Sequence, residues 1–424
     1  MCAQLTEYLN LNSVLFKSQY GFRKKHNTDF ATMDFVADIA ASVDNGEFAF
    51  GIFIDLSKAF DTINHEILLR KLKWYGIDNL AHSWFKSYLK DRVQYVNYEG
   101  ETSDMLPNLT GVPQGSVLGP LLFLLYVDDL PCASDMVKMV LFADDSNLLL
   151  KGKKPEDIAN LANGELDKIQ DWFAANKLLL NADKTKLIVF SSRKCRARPT
   201  DVRLQLNGSI IKQVEHETFL GLELDETLKW YPHTEKVANC VSKKIGMMSR
   251  IKKMVSPRTL KLLYNCFILP SFTYGISLWG GTFDKGLKRL EKLQKKAIRI
   301  ITRAKYTDHS EPRQKDLEIL KLGDLYKMRT NCLTYDCLNN NAPELFNNLF
   351  IQNAQRNMEN TRTTRANANR PLDIQAQNPV NNPGPVTKSS FQIKAIEFWN
   401  ELPSEIKNSS SKNEFNKTRA HEWA

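Results

Sequence analysis

Two pairs of adjacent aspartates are the residues of this chain best suited to chemistry. One pair lies in YVDDL at Tyr126–Leu130, and the other lies in FADDS at Phe142–Ser146. Paired carboxylates beside apolar chain suit divalent metal ions, because hard cations such as Mg²⁺ take oxygen ligands. Each pair also has a structural explanation, since aspartate is common in surface turns and near chain reversals. The surrounding elements therefore decide which pair forms a metal site.

The first pair stands at the end of a predicted helix. An apolar helix is expected from its N-cap, Ser116, to about Leu130, and Pro131 cannot continue it. Carboxylates in the last turn face the negative end of the helix dipole, which is a poor place to recruit metal ions. Asp128 and Asp129 are therefore interpreted as a helix end that meets solvent.

The second pair is predicted to lie in a tight turn between two strands. Short apolar runs stand on both sides of it in KMVLFADDSNLLL. A third aspartate, Asp55, follows the buried strand predicted in FAFGIFIDL at Phe48–Leu56. If these strands are neighbours, Asp55 faces Asp144 with Asp145 alongside. Such an arrangement holds two Mg²⁺ ions about 3.5–4 Å apart for phosphoryl transfer.

Charge and composition narrow the function classes. The chain of 424 residues has a net charge of +10, and residues 235–315 hold 19 Lys or Arg against five Asp or Glu. This concentration favours a polyanion partner, nucleic acid first, although a solvated basic face fits the same pattern. Seven cysteines without a CxxC pair argue against a disulfide scaffold or a zinc site. With no secretory signal and no apolar run of about eighteen residues, no membrane contact is expected, and the nucleus or cytoplasm is the expected location.

Periodicity predicts most of the remaining elements. Helices are expected at Thr28–Ile39, Ile63–Leu72, Leu80–Leu89, Glu156–Ala175 and Leu317–Asn339, and mostly helical basic chain is expected at 233–303. Strands are expected at the end of Asn181–Phe190 and at Phe219–Leu224.

Five segments, in order and with matching spacing, resemble the successive core motifs of reverse transcriptases. They are FGIFIDLSKAFDTINHEIL (Phe50–Leu68), GVPQGSVLGPLLF (Gly111–Phe123), LFADDSNLLL (Leu141–Leu150), LDKIQDWFAANKLLLNADKTKLIVF (Leu166–Phe190) and FLGLELDETLKW (Phe219–Trp230). Together with SQYGFRKKHNTDFA (Ser18–Ala31), they are most similar to the enzymes of non-LTR retrotransposons, in particular jockey-like elements. The resemblance covers about residues 15–340.

The resemblance implies an α+β, right-hand polymerase fold with fingers, a palm containing an antiparallel sheet, and a helical thumb. The implied domains are partial fingers at 1–47, a palm with inserted fingers elements at 48–224, and a basic thumb at 225–305. A helical C-terminal region at 306–352, an irregular linker at 353–390 and a small segment at 391–424 follow. The linker prediction rests on its richness in Asn, Gln, Pro and Thr. The implied activity is that of an RNA-directed DNA polymerase.

The resemblance also assigns the catalytic residues. Asp55, Asp144 and Asp145 match the catalytic aspartates, which hold two Mg²⁺ ions, with Mn²⁺ as a substitute ion. Lys184, in NADKT, matches a lysine that protonates the leaving pyrophosphate.

Substrate contacts are implied at four further positions. Phe60 matches the aromatic residue that excludes a 2′-hydroxyl and so selects deoxynucleotides. Gln114 and Gly115 match residues beside the incoming nucleotide and the template, and Arg23 matches a residue that grips the triphosphate. Asp61, next to Phe60, is predicted instead to cap the following helix.

The implied partners are an RNA template, a DNA primer and dNTPs. Leu220 and Gly221 match the centre of a strand that steadies the primer end, and the basic helices match a thumb that contacts duplex phosphates without reading sequence. Because the chain begins just before SQYGF, it resembles an N-terminally truncated enzyme. The endonuclease that usually precedes this polymerase is then expected upstream or in a separate protein.

Two alternatives stay open at this point. A maturase of the group II intron type, or a telomerase-like enzyme, shares the same core motifs, but the flanking domains of those enzymes are not visible. A nucleic-acid-binding remnant that has lost catalysis would also keep the basic segment.

Overall fold

The computed structural model describes residues 1–192, 199, 202–281, 284–353, 372–377 and 383–416. The chain forms two compact units. The first unit comprises residues 1–31 and 46–215, and the second comprises residues 32–45 and 216–424. None of the helices in the described part of the chain combines the length and the apolar content that crossing a bilayer requires.

The first unit mixes helices with short and long strands. Its helices are α1 (Cys2–Leu11), the start of α2 (Thr28–Asp44), α3 (His65–Trp74), α4 (Asn79–Leu89), α5 (Gly119–Val127), a 3-10 turn (Leu130–Ala133) and α6 (Pro155–Ala175). Its strands are β1 (Phe48–Ile54), β2 (Val93–Gln94), β3 (Asn97–Tyr98), β4 (Glu101–Thr102), β5 (Leu106–Pro107), β6 (Lys138–Phe142), β7 (Asp145–Gly152), β8 (Lys186–Phe190), β9 (Gln205–Leu206), β10 (Ser209–Ile210) and β11 (Lys212–Gln213).

A five-stranded sheet in the order β11-β8-β1-β7-β6 forms the centre of the described first unit. Strand β1 pairs antiparallel with both β7 and β8, and only β11 joins in parallel. All seven residues of β1 are buried, which fits its central position and its continuous apolar sequence. Helix α5, apolar on all sides, is likewise almost completely buried. The α+β class predicted from the sequence is confirmed.

Strands β6 and β7 form a hairpin with a two-residue turn, Ala143–Asp144, because Phe142 pairs with Asp145. Ala143 adopts a φ of 55°, the left-handed conformation that such short turns require and that costs a non-glycine residue energy. The prediction placed both aspartates in the turn. The structure places Asp145 in β7, as its first residue.

The second unit is mainly helical. Its elements are β12 (His216–Phe219), β13 (Leu222–Asp225), α7 (Tyr231–Ile251), α8 (Pro257–Leu263), a π-helical turn (Tyr264–Ile268), α9 (Leu269–Thr273), α10 (Ile276–Trp279), α11 (Asp284–Ile301), α12 (Glu311–Asp316), α13 (Leu322–Leu338), α14 (Glu344–Asn347), β14 (Phe350–Gln352), β15 (Ile374–Ala376), α15 (Pro385–Lys388), α16 (Phe391–Asn400) and α17 (Ser404–Lys407).

The structure corrects two predictions for this unit. The single strand expected at Phe219–Leu224 is a hairpin, β12–β13, with its turn at Leu220–Gly221. Within the predicted linker, most residues lie outside the described part of the chain, but β15 pairs antiparallel with β14, so this portion is regular.

The helix predictions are confirmed in type, with shifted ends. Helix α2 is five residues longer than predicted, and its start is capped by Asn27, whose Oδ1 accepts a hydrogen bond from Phe30 N. Helix α5 begins at Gly119, whose N–H donates to Ser116 Oγ, and it ends at Val127 rather than near Leu130.

Candidate active site

Strand pairing brings the three predicted aspartates to one end of the sheet. Ile54, the last residue of β1, pairs with Ser146 of β7. Asp55 therefore follows β1 at the point where Asp145 begins β7, and Asp144 stands beside them in the hairpin turn. The prediction that these strands are neighbours is confirmed. The paired register ends at Ile54 and Ser146, and its continuation by one residue puts Asp145, rather than Asp144, opposite Asp55.

The three carboxylates interact electrostatically. The pKa of Asp145 is raised to about 6, first because the surrounding chain desolvates the carboxylate and then because Asp144 and Asp55 repel its charge. Lys184 lies in the turn before β8, and its Nζ is 3.7 Å from Asp55 Oδ2. The structure thus brings all four predicted catalytic residues together.

This end of the sheet has the donor chemistry for a hard divalent cation. Its donor atoms would be the carboxylate oxygens of three aspartates, and hard divalent cations prefer oxygen ligands. Within the described residues, no three His, Cys, Asp or Glu side chains already converge on one ion position. The carboxylates would therefore come together through side-chain rotation, which staggered rotamers permit at low cost.

The raised pKa of Asp145 predicts a measurable pH effect. Its folded pKa, about 6, exceeds the ordinary value of 3.8, so the folded chain binds this proton more tightly than the unfolded chain does. Without metal, the proton's contribution to stability should grow as the pH falls from about 7 to about 4. Asp145→Asn should remove that contribution and should raise the melting temperature at pH 8, because it removes repulsion.

Thermal unfolding of the metal-free wild type and Asp145→Asn between pH 4 and pH 8 measures this effect. Asp128 also has a raised pKa, so the informative quantity is the difference between the two proteins at each pH. Equal melting temperatures at every pH would contradict the prediction.

Phe60 lies on a loop that is held against the PQG segment. Its ring stacks on Phe123 with centroids 4.4 Å apart, and the ring of Phe22 meets it edge-on at 6.4 Å. Phe60 O accepts a hydrogen bond from Val112 N at 3.0 Å, which fixes the two loops to each other. The ring is thus partly buried on a rigid support.

Gln114 and Gly115 follow Val112 in the PQG segment. Gln114 Nε2 donates to Asp61 Oδ1 at 2.9 Å. Asp61 is therefore not the helix cap that the sequence predicts; Asn64 caps α3 by accepting a hydrogen bond from Ile67 N. Gly115 has a φ of +78°, which favours glycine, and no atom lies within 4 Å of the place where a Cβ would stand.

Arg23 is engaged by nearby backbone. Its Nη1 donates to Phe16 O at 2.6 Å and to Gln19 O at 3.1 Å. Burial lowers the pKa of Arg23, and the Asp128 carboxylate opposes that shift. These contacts hold the Arg23 guanidinium against its own segment, and triphosphate binding stays a prediction for this residue.

The first aspartate pair is a structural feature, but it differs from the prediction. Asp128 does not meet solvent: it is only 3% exposed, and its Oδ1 accepts a hydrogen bond from Phe16 N at 2.8 Å. Burial raises its pKa to about 6. Asp129 pairs with Lys71 Nζ at 2.6 Å, and that ammonium group also lies over the ring of Trp172. The pair therefore anchors the end of α5.

The predicted primer contacts belong to the second unit. Leu220 and Gly221 both adopt positive φ, at 46° and 82°, as a two-residue hairpin turn requires. Tyr274 Oη donates to Leu220 O at 2.5 Å and fixes the turn.

One buried contact at the hairpin turn is not foreseen in the sequence. Gln19 Oε1 accepts hydrogen bonds from Ala143 N at 3.0 Å and from Gly21 N at 2.8 Å. Gln19 stands inside the SQYGF motif, but a polar residue in a predicted loop gives no signal that it is buried.

Comparison with known proteins agrees with these observations. Residues 1–224 match the family model described as reverse transcriptase (RNA-dependent DNA polymerase). The RNA-directed DNA polymerase from mobile element jockey of Drosophila melanogaster is 30% identical over 73% of this chain and 34% of the relative. The probable RNA-directed DNA polymerase from transposon BS of the same species is 29% identical over 74% and 36%. The chain thus spans about a third of the length of these relatives.

Among solved structures, apo telomerase from Candida tropicalis superposes with a TM-score of 0.41 at 11% identity, over 77% of this chain and 54% of that one. This similarity is too distant to support the assignment, which rests on the family match over more than half of the chain. The chain belongs to the reverse transcriptase family of RNA-dependent DNA polymerases.

Proposed function

We propose that this chain is the RNA-directed DNA polymerase of a non-LTR retrotransposon and extends a primer 3′-hydroxyl with dNTPs. The observation that carries the proposal is the location of Asp55, Asp144 and Asp145 at the same end of β1 and β7, in a member of the reverse transcriptase family. Reverse transcriptases use divalent metal ions. We assign two Mg²⁺ ions here, with Mn²⁺ as a substitute, and these three aspartates as their ligands.

When bound, such ions activate the 3′-hydroxyl and stabilise charge on the transferred phosphoryl group and the pyrophosphate. The chain's own residues supply the rest. Lys184 gives a proton to the leaving pyrophosphate, a role that its 3.7 Å distance from Nζ to Asp55 Oδ2 supports. Phe60, supported by Phe123, presents a ring that a 2′-hydroxyl would strike. Gln114 and Gly115 bound the place of the incoming base pair, and Arg23 assists triphosphate binding.

The proposed nucleic-acid partners are an RNA template and a DNA primer. The helices α7 and α11 bury apolar residues on one side, whereas Lys243, Lys288, Lys292 and Lys295 are exposed. Exposed lysines at helical spacing suit phosphate contacts along a duplex. We assign residues 225–305 to the thumb, 48–224 to the palm, and the turn at Leu220–Gly221 to the primer end. An endonuclease, upstream or separate, is proposed to supply the 3′-hydroxyl.

Extension of oligo(dT) on poly(rA) by the purified chain, with Mg²⁺ and dTTP, tests the proposal directly. Incorporation that requires both the RNA strand and the metal ion is expected. A chain that binds the hybrid in a filter or anisotropy assay but incorporates no dTTP would instead be a binding remnant without catalysis.

The Phe60 ring predicts sugar selectivity. Phe60→Val should raise the ratio of ribonucleotide to deoxynucleotide incorporation by roughly tenfold or more, because the smaller side chain leaves room for a 2′-hydroxyl. Single-nucleotide extension with UTP and dTTP gives this ratio from the two kcat/KM values.

Phe22→Leu is the control, since Phe22 meets the same ring in a T-shaped arrangement but is exposed, and leucine avoids a β-branched side chain at the left-handed φ of 52°. Its ratio should stay within about twofold of the wild type. Equal ratios for the wild type and Phe60→Val would remove Phe60 from the sugar site.

A further inference from the structure

The segment Ser18–Tyr20 extends the sheet beyond β6. Tyr20 N donates to Leu141 O at 2.8 Å, and Leu141 N donates to Ser18 O at 2.9 Å, which makes a parallel bridge. Gln19 is central in this bridge, and its side chain is carried toward the β6–β7 turn. The placement of the segment is therefore fixed by backbone hydrogen bonds and does not depend on the Gln19 side chain.

The Gln19 side chain acts as a hydrogen-bond acceptor. It is 1% exposed, and Oε1 accepts from both Ala143 N and Gly21 N, whereas Nε2 is buried without a partner among the described residues. A buried amide N–H without an acceptor costs roughly 1–3 kcal/mol. The contact that justifies burying this amide is therefore the one with the turn.

The turn needs such support. Ala143 holds a left-handed φ of 55°, which costs a residue with a Cβ on the order of 1–3 kcal/mol and persists only when its surroundings fix it. Its N–H is at the first central position of a two-residue hairpin loop, where the hairpin itself offers no acceptor. Gln19 Oε1 supplies that acceptor one residue before Asp144.

We propose that Gln19 is a positioning residue, which holds the Ala143–Asp144 turn so that Asp144 and Asp145 can bind a divalent cation. The proposal rests on the proposed function, in which these carboxylates are metal ligands. Gln19 touches neither the cation nor the substrate. It acts through the backbone of Ala143, as residues behind a metal ligand commonly do.

The proposal is tested separately from activity by measuring Mn²⁺ binding to the intact chain without nucleic acid. Electron paramagnetic resonance reports the concentration of the free ion. Gln19→Met keeps the length of the side chain but removes the acceptor. It should weaken Mn²⁺ binding roughly tenfold and raise the Mg²⁺ concentration for half-maximal extension by a similar factor. The affinity for the RNA–DNA hybrid should change by less than about twofold, since the variant leaves the basic helices intact.

Gln294→Met is the matched control. Gln294 is also buried, and its Nε2 donates to Tyr264 Oη and Leu320 O, in the second unit. This variant should lose thermal stability but keep wild-type Mn²⁺ affinity. If both variants weaken Mn²⁺ binding equally, loss of stability explains the effect and the proposal is overturned.

Other outcomes are equally decisive. Wild-type Mn²⁺ affinity in Gln19→Met, or a wild-type chain that binds no Mn²⁺, overturns the proposal. If Gln19→Met does not fold, Gln19→Glu decides, because it retains an acceptor oxygen at the same reach and replaces the unpartnered nitrogen by a second carboxyl oxygen, which is protonated when buried without a cation partner. A Mn²⁺ affinity of Gln19→Glu within about threefold of the wild type then supports the positioning role of Gln19, and a roughly tenfold loss of Mn²⁺ affinity overturns it. If the wild type binds Mn²⁺ but incorporates no dTTP, the proposed function fails while the role of Gln19 is still decided.

Discussion

Replacing Asp144 by asparagine is expected to lower kcat for dTTP incorporation by about a thousandfold, which corresponds to roughly 4 kcal/mol of lost transition-state stabilisation. The substitution keeps the size of the side chain but removes a charge at the end of the sheet where Asp55 and Asp145 also lie. A metal ion bound by the remaining carboxylates would be held less tightly and in a different place. Single-turnover extension at saturating Mg²⁺ separates this loss from weaker primer binding.

Asp129→Asn is the matched control, because it makes the same chemical change in the other aspartate pair. Its carboxylate pairs with Lys71 Nζ and belongs to the anchor at the end of α5. Incorporation by the folded variant should stay within about twofold of the wild type. Comparable losses in the two variants would mean that the metal site is not at the β6–β7 turn.

Gly21→Ala is expected to lower the free energy of unfolding by about 3 kcal/mol and the extension rate by roughly a hundredfold. A Cβ on Gly21 would lie 2.3 Å from Ala143 N, so the backbone of the turn must move. Because Asp144 follows Ala143 directly, that movement displaces a proposed metal ligand. Chemical denaturation measures the first effect, and single-turnover extension measures the second.

Gly164→Ala provides the control for this prediction. Gly164 lies inside α6, and no atom stands within 4 Å of its missing Cβ. The substitution should stabilise the helix by about 0.5–1 kcal/mol and leave extension unchanged. If Gly21→Ala has the same stability and extension rate as Gly164→Ala, Gly21 does not pack against Ala143 as closely as the structure shows.

The sequence predicts the strands that carry the three aspartates, and their function as a metal site stays a prediction. The apolar run before Asp55 and those on both sides of Asp144 predict strands whose pairing is confirmed. The register could not be predicted, because an apolar run does not state which residue of its neighbour it pairs with. Placing Asp145 across from Asp55 therefore required the structure.

Contacts between residues far apart in the chain account for the main errors. The end of α5 predicts that Asp128 meets solvent, but Asp128 is buried and its carboxylate accepts a hydrogen bond from the backbone N–H of Phe16, 112 residues earlier. Asp61 and Asn64 are both good helix caps, and only the start of α3 decides between them. The sequence gives no signal for the β12–β13 turn, because leucine rarely adopts the positive φ that Leu220 has there.

The segment that carries Gln19 has a second consequence, for solubility. Strand β6 is the last strand of the main sheet in the described first unit, and edge strands with open backbone groups pair readily with other chains and aggregate. Ser18 and Tyr20 occupy the backbone groups of Leu141 on that edge. A shortened chain that begins after Gly21 would leave these groups open. Shortened chains expressed for structural work should therefore keep Ser18–Tyr20, because this segment shields the edge of β6 from pairing with other chains.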